Sequence, residues 1–140
     1  MKNQYFGDNR DLFKYDLITE IMTKMPVLDK FTFIPMFTPN DNRRDGNERD
    51  TGKAEAGFEN KDLAQFLKKN SRKKRDRDFR IIEEHFAKKQ IKSEIYAGNG
   101  QEFFSHKDRK SYFNSIGYGL LHNSLVFLDP DNGLEIKKST

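Results

Sequence analysis

The sequence predicts a small α/β domain with a mostly parallel sheet. Three observations lead there. Helix-like and strand-like patterns alternate along one chain of 140 residues, which favours parallel strands joined by helical crossovers. The last strand-like run, Leu125-Val-Phe-Leu128, is continuously apolar, as in a strand buried on both faces. It delivers Asp129 at its carboxyl end, where open α/β sheets place their ligands.

The elements follow in order. From Asp11 to Met25, Phe13, Leu17 and Ile21 recur every four residues with Leu12, Ile18, Met22 and Met25 beside them, the spacing of a helix with a wide apolar stripe. Asp8 or Asp11 can cap its start and Pro26 stops it. Tyr5 and Phe6 just ahead of it form either a ligand-contacting lip or a hydrophobic staple onto the helix. Phe31 to Phe37 is aromatic and β-branched and reads as a strand. Pro35 within it predicts an edge position, a bulge or an early end. Residues 39–60 form a long polar loop. Leu63, Phe66 and Leu67 predict a short helix opened near Asn60, and Phe79, Ile82 and Phe86 a second one. Ile91 to Tyr96 alternates like a strand closed by Gly98 and Gly100, and Arg109 to Leu121 reads as a helix weakened by Gly117 and Gly119.

Composition narrows the chemistry. Without Cys there is no disulfide scaffold, thiolate metal site or cysteine nucleophile. Eighteen Phe and Tyr, 13 and 5, are too many for a wholly disordered chain despite a mean hydropathy of −0.95. No apolar run approaches the roughly 20 residues that span a bilayer, and the polar start lacks the apolar core of a secretion signal, so a cytoplasmic protein is expected. The three His (His85, His106, His122) lack close ligand spacing and read as packing or surface residues.

The charge is local. Lys68, Lys69, Arg72, Lys73, Lys74, Arg75, Arg77 and Arg80 face only Asp76 and Asp78, a net +6 in a chain of formal charge +4, so the remainder sums to −2. Such a stretch suits nucleic-acid phosphates, with Lys68 to Arg77 as candidate contacts, or is simply a solvated surface. Two acidic segments could carry a site. Asp41 and Asp45, in Thr38-Pro-Asn-Asp-Asn-Arg-Arg-Asp-Gly46, suit a cation or a ribose, or a solvated turn. The segment Leu125-Val-Phe-Leu-Asp-Pro-Asp-Asn-Gly-Leu-Glu135 admits three readings. The first, acceptance of hydrogen bonds from a target amino group by Asp129, Asp131 and Asn132, is what a family resemblance set out below implies. Alternatively Asp131, Glu135 and Lys137 spell the PD…ExK pattern of Mg²⁺-dependent nucleases, although an Asn132-Gly133 hairpin would turn Glu135 and Lys137 to the opposite face. Or the segment is a strand ending in a polar turn.

The amino-group reading has a family behind it: Asp129-Pro130-Asp131-Asn132 resembles the Asp/Asn-Pro-Pro-aromatic motif of class I S-adenosylmethionine-dependent methyltransferases, with Asp131 and Asn132 replacing the second Pro and the stacking aromatic. Phe37-Thr-Pro-Asn-Asp41 stands where that fold has its glycine-rich cofactor loop. Asn3-Gln-Tyr-Phe-Gly-Asp8 with Lys14-Tyr15, Thr38-Pro-Asn-Asp41 with Asp45-Gly46, and Phe127 to Glu135 together resemble a methyltransferase-like family of uncharacterised bacterial and phage proteins, over roughly a quarter of the chain. The resemblance implies a Rossmann-like three-layer fold, S-adenosylmethionine as a candidate cofactor, and catalytic roles for Asp129, Asp131 and Asn132 with Asp41 and Asp45 at the cofactor loop. Relatives run on past the Asp-Pro strand, so this chain reads as a shortened member whose open sheet edge is completed by a second copy or another chain. The functions expected are a methyltransferase-like nucleic-acid-associated protein, with or without catalysis; a non-enzymatic phage or mobile-element protein sequestering a nucleotide or host partner; or the nuclease.

Overall fold

A computed structural model describes residues 1–41, 57–98 and 100–130. Three parallel strands, β1 (Lys30–Ile34), β2 (Ser93–Ile95) and β3 (Ser124–Leu128), lie in the order β2-β1-β3. Phe31 stands opposite Ser93 on one side of the central strand and opposite Leu125 on the other. Between the strands come α1 (Asn9–Lys24, ahead of β1), α2 (Lys61–Asn70), α3 (Ile82–Lys88), α4 (Arg109–Asn114) and α5 (Tyr118–Leu121). The protein is an α/β domain with a small open parallel sheet. Among the described residues no helix is long and apolar enough to cross a membrane.

The alternation of β1 sends its side chains to two different cores. Phe31 and Phe33 join Tyr15, Ile18, Leu63, Leu67, Phe79, Ile82 and Phe86 in the larger one, beneath α1, α2 and α3. Ile34 joins Met36, Tyr96, Phe104 and Tyr112 on the face of α4 and α5. Two polar residues of β1 also face that way, and both are satisfied there. Thr32 Oγ1 donates to Leu120 O at 2.6 Å, and Lys30 Nζ donates to Gly119 O at 2.6 Å and pairs with Glu94 at 2.7 Å. A buried polar group without such partners would cost about 1–3 kcal/mol.

Local chemistry explains the boundaries. Asp8 caps α1, accepting from Asp11 N at 2.9 Å, and Asn60 caps α2, accepting from Leu63 N at 3.1 Å. Pro35 coincides with an early strand end: β1 stops at Ile34 and is the central strand. Four expectations need correction. β3 is not buried on both faces; it borders β1 alone among the described strands, and Val126 and Leu128 are each 37 % exposed. Its continuous apolarity therefore does not report two-sided burial. The stripe of α1 is rotated: Phe13 and Leu17 are exposed while Leu12, Tyr15 and Ile18 are buried, because the helix turns its Tyr15 side against Phe33 and Phe86. The helix expected over 109–121 is broken at residues 115–117, with Gly117 extended (φ −67, ψ 145) ahead of α5. The strand expected over 91–96 is shorter, Ser93–Ile95, with Lys92 O and Tyr96 N bonding to β1 on either side of it. Phe6 is fully buried in the larger core, as the staple reading of the N-terminal segment requires.

Candidate functional site at the carboxyl edge of the sheet

In the order β2-β1-β3 the chain leaves β1 toward one side and returns on the other. The carboxyl ends of β1 and β3 thus flank the switch point at which open parallel sheets form a binding crevice. Asp129 lies there. Its N–H donates to Ile34 O at 3.1 Å, extending the ladder by one residue. Its carboxylate Oδ2 receives Lys14 Nζ at 2.9 Å, and Lys14 also reaches Asp11 Oδ1 at 2.7 Å. Asp11 and Lys14 stand three apart on α1, so one turn of helix presents both to the strand end.

The cluster is largely withdrawn from water. The Asp11 side chain is 4 % exposed, and its Oδ2 accepts from Gly7 N at 2.8 Å. Burial drives its pKa up to about 6, against the opposing pull of Lys14, while the two carboxylates hold the Lys14 ammonium charged well above the usual lysine range. Beside them the Tyr15 hydroxyl is buried with no hydrogen-bond partner, and burial with the Asp11 and Asp129 charges raises its pKa. Asp11 holds a proton in the folded state at pH values where the unfolded chain, near 3.8, has lost it. Its burial therefore weakens the fold as pH rises from about 4 to about 6. Asp11→Asn is expected to flatten that part of the stability–pH curve by on the order of 2 kcal/mol, measured by urea unfolding at pH 4.5 and 7.

The N-terminal segment lies across the crevice. The Met1 ammonium donates to Met36 O at 3.2 Å and to Asp129 O at 3.3 Å. Thr38 N donates to Met1 O at 2.8 Å. Gln4 is fully buried and clamps the start of the loop: its Nε2 donates to Asp41 Oδ1 at 2.8 Å, and its Oε1 accepts from Asp41 N at 2.7 Å. Lys2 Nζ takes the other carboxylate oxygen of Asp41 at 2.8 Å. Asn3-Gln-Tyr-Phe-Gly-Asp8, Thr38 to Asp41, and Asp129, remote in sequence, thus meet at one end of the sheet. The crossing is strained at one point. Met36 adopts φ +41, a left-handed conformation costing a non-glycine residue about 1 kcal/mol, and its side chain is nevertheless buried.

Of the other expected site residues, Asp45, Asp131 and Asn132, with Glu135 and Lys137 of the nuclease pattern, lie outside the described residues. Among the described residues no group of three or more His, Asp or Glu is placed to hold a metal ion. Among the described residues, two features depart from the S-adenosylmethionine site that the resemblance implies. The turn after β1 carries Pro35 and the buried side chains of Met36 and Phe37 in place of glycines, and both Asp41 carboxylate oxygens accept from protein groups. Asp129 is likewise in an ion pair. Among the described residues, the arrangement orders two chain segments around a carboxylate that is itself ion-paired.

The basic stretch divides in two. Lys68, Lys69, Arg72, Lys73 and Arg75 are exposed, and Lys74 is partly so. Arg77 is 7 % exposed: Nε donates to Ser71 O at 2.9 Å and Nη1 donates to Gln4 O. As Phe79 N also donates to Asn3 Oδ1 at 3.0 Å, the stretch is fastened at its end to the segment that crosses the crevice. Arg77 is a strut there and does not reach solvent with the other cations. Arg77→Leu removes a charged donor from two buried carbonyls and is expected to lower stability by about 2–4 kcal/mol in urea unfolding.

The pairing of Lys14 with Asp11 has a local sequence signal, an acid and a lysine three apart on a helix, whereas its pairing with Asp129 has none. Comparison with protein-family models, curated proteins and solved structures finds no match to this chain.

Proposed function

We propose that this is a nucleic-acid-associated protein of methyltransferase-like, Rossmann-like build that binds its ligand and does not transfer a methyl group to it. The observation that carries the reading is the run of five exposed cations over Lys68–Arg75 fastened through Arg77 to the segment crossing the carboxyl edge. Contiguous exposed Lys and Arg with few acids supply the phosphate contacts on which nucleic-acid affinity chiefly rests. Binding is favoured over catalysis because Asp129 is engaged by Lys14 and the turn after β1 lacks glycines.

Calorimetry with a mixed-sequence oligonucleotide and, separately, with S-adenosylmethionine tests this. Heat from the oligonucleotide that shrinks steeply between 50 and 200 mM salt, with none from S-adenosylmethionine, is the expected result. Saturable S-adenosylmethionine binding would restore the enzyme reading, and silence from both would remove nucleic acid as the ligand class.

A further inference from the structure

A second cavity opens at the same carboxyl edge, beside β2, and neither Asp129 nor Lys14 lines it. It measures about 200 Å³. Its walls are aromatic: the rings of Phe37 and Phe79 stand 5.1 Å apart and those of Phe104 and Tyr112 5.0 Å apart. The Arg80 guanidinium lies over both Phe37, at 5.5 Å, and Phe79, at 5.3 Å. Beside Arg80, the polar lining includes Glu83, Gln101 and Glu102, with Tyr96 and Tyr112. Glu83, in the first turn of α3, accepts a hydrogen bond from the Ile95 backbone, which fixes its carboxyl at the carboxyl end of β2. At Gly98 (φ +81) a Cβ would lie 3.1 Å from Gln101 O, so this tight fold of the wall requires glycine.

We propose that this cavity binds a nucleobase. Aromatic walls with a guanidinium lying over two of the rings suit a planar ring, since aromatic and Arg side chains are the surfaces on which bases stack. One cation against two carboxylates makes the cavity unsuited to a phosphate or carboxylate, and an apolar ligand would take water from those carboxyl groups while offering them no hydrogen bond. A neutral heterocycle carrying an amino group satisfies both requirements: its N–H donates to Glu83, and the amide of Gln101 can both donate to and accept from its ring edge. Phe79 and Arg80 close the basic stretch, so a strand held along it has its bases within a short reach of the cavity. The base can come from a free nucleoside or from such a strand, and only the second source rests on the nucleic-acid reading.

The test titrates the full chain with adenosine, cytidine, guanosine and uridine while recording amide chemical shifts. Saturable shifts centred on Ile95, Gly98 and Gln101 are expected from an amino-bearing base and weaker ones from uridine. Glu83→Gln presents an amide N–H to the amino group and should weaken binding at least tenfold with an unchanged melting temperature. Gln101→Ala, on an irregular segment, serves as the second variant with the same expectation. A parallel arm compares an intact oligonucleotide with one of equal length carrying abasic positions. A tenfold preference for the intact strand assigns the base to a strand, whereas equal affinity assigns the cavity to free nucleosides and leaves the phosphate-binding stretch untouched. The proposal is overturned if no nucleoside saturates the protein at millimolar concentration, or if both variants bind as the unaltered chain does.

Discussion

Replacing Lys68, Lys69, Arg72, Lys73 and Arg75 together by Gln is expected to abolish oligonucleotide binding at physiological salt. The change takes the formal charge from +4 to −1. If all five cations neutralise phosphates on a duplex, log K falls with log salt at a slope of about −4 to −5, and affinity drops roughly 500-fold between 50 and 200 mM. The variant should bind at least 100-fold more weakly at 50 mM and show a nearly flat salt dependence, read by fluorescence anisotropy. All five side chains are exposed, so the fold should survive; Lys68 and Lys69 give up only their favourable placement in the last turn of α2. Arg77 is left intact in this design because its guanidinium holds backbone carbonyls. Retention of salt-dependent binding by the variant would place the phosphate contacts elsewhere on the molecule.

Lys14→Met should lower stability by about 3 kcal/mol at pH 7. Lys14 stands between Asp11 and Asp129, whose side chains are 4 % and 18 % exposed, and its removal leaves two facing carboxylates in a poorly solvated place. Breaking a buried pair from one side costs roughly 3–5 kcal/mol, and the partial exposure of Lys14 and Asp129 puts this case at the low end. The loss should shrink at pH 5. Asp11 already titrates near 6 with Lys14 present, and without that cation its carboxyl takes up a proton still more readily. Urea unfolding at the two pH values measures both effects. Lys24→Met, which breaks an exposed pair with Glu20 one turn apart, should leave the midpoint unchanged and serves as the control.

The parts of the fold legible in the sequence were those set by short-range chemistry. Asp8 and Asn60 announce helix starts because an Asp or Asn side chain can accept from the exposed amides of a first turn. Pro35 announces the end of β1 because it has no N–H to donate. What was not legible depended on neighbours. Nothing in Leu125-Val-Phe-Leu128 reveals that one of its faces would stay partly open, since apolar residues suit an edge strand of a small sheet as well as a central one. The outward turn of Phe13 and Leu17 likewise depends on where Tyr15 meets Phe33. At the site, the meeting of Asp129 with Asp11 and Lys14 spans 115 residues and has no local signature. The burial of Arg77 is hidden in the same way, because a run of eight basic residues gives no sign of which one turns inward.

The parallel sheet also governs how the chain reaches its native state. Phe31 waits for Ser93, and Lys30 for Ser124, 94 positions further along. Emerging from a ribosome, β1 has no strand to pair with until Ser93–Ile95 has been made, and its second edge stays open until Ser124–Leu128 follows. Long-range closure of this kind is slow, and an unpaired β-prone segment is exposed to self-association meanwhile. The two residues bracketing it are suited to that interval. Lys30 places a charge at one end and Pro35 removes a donor at the other, so that Phe31 to Ile34 is too short and too poorly terminated to seed a stack with its own copies.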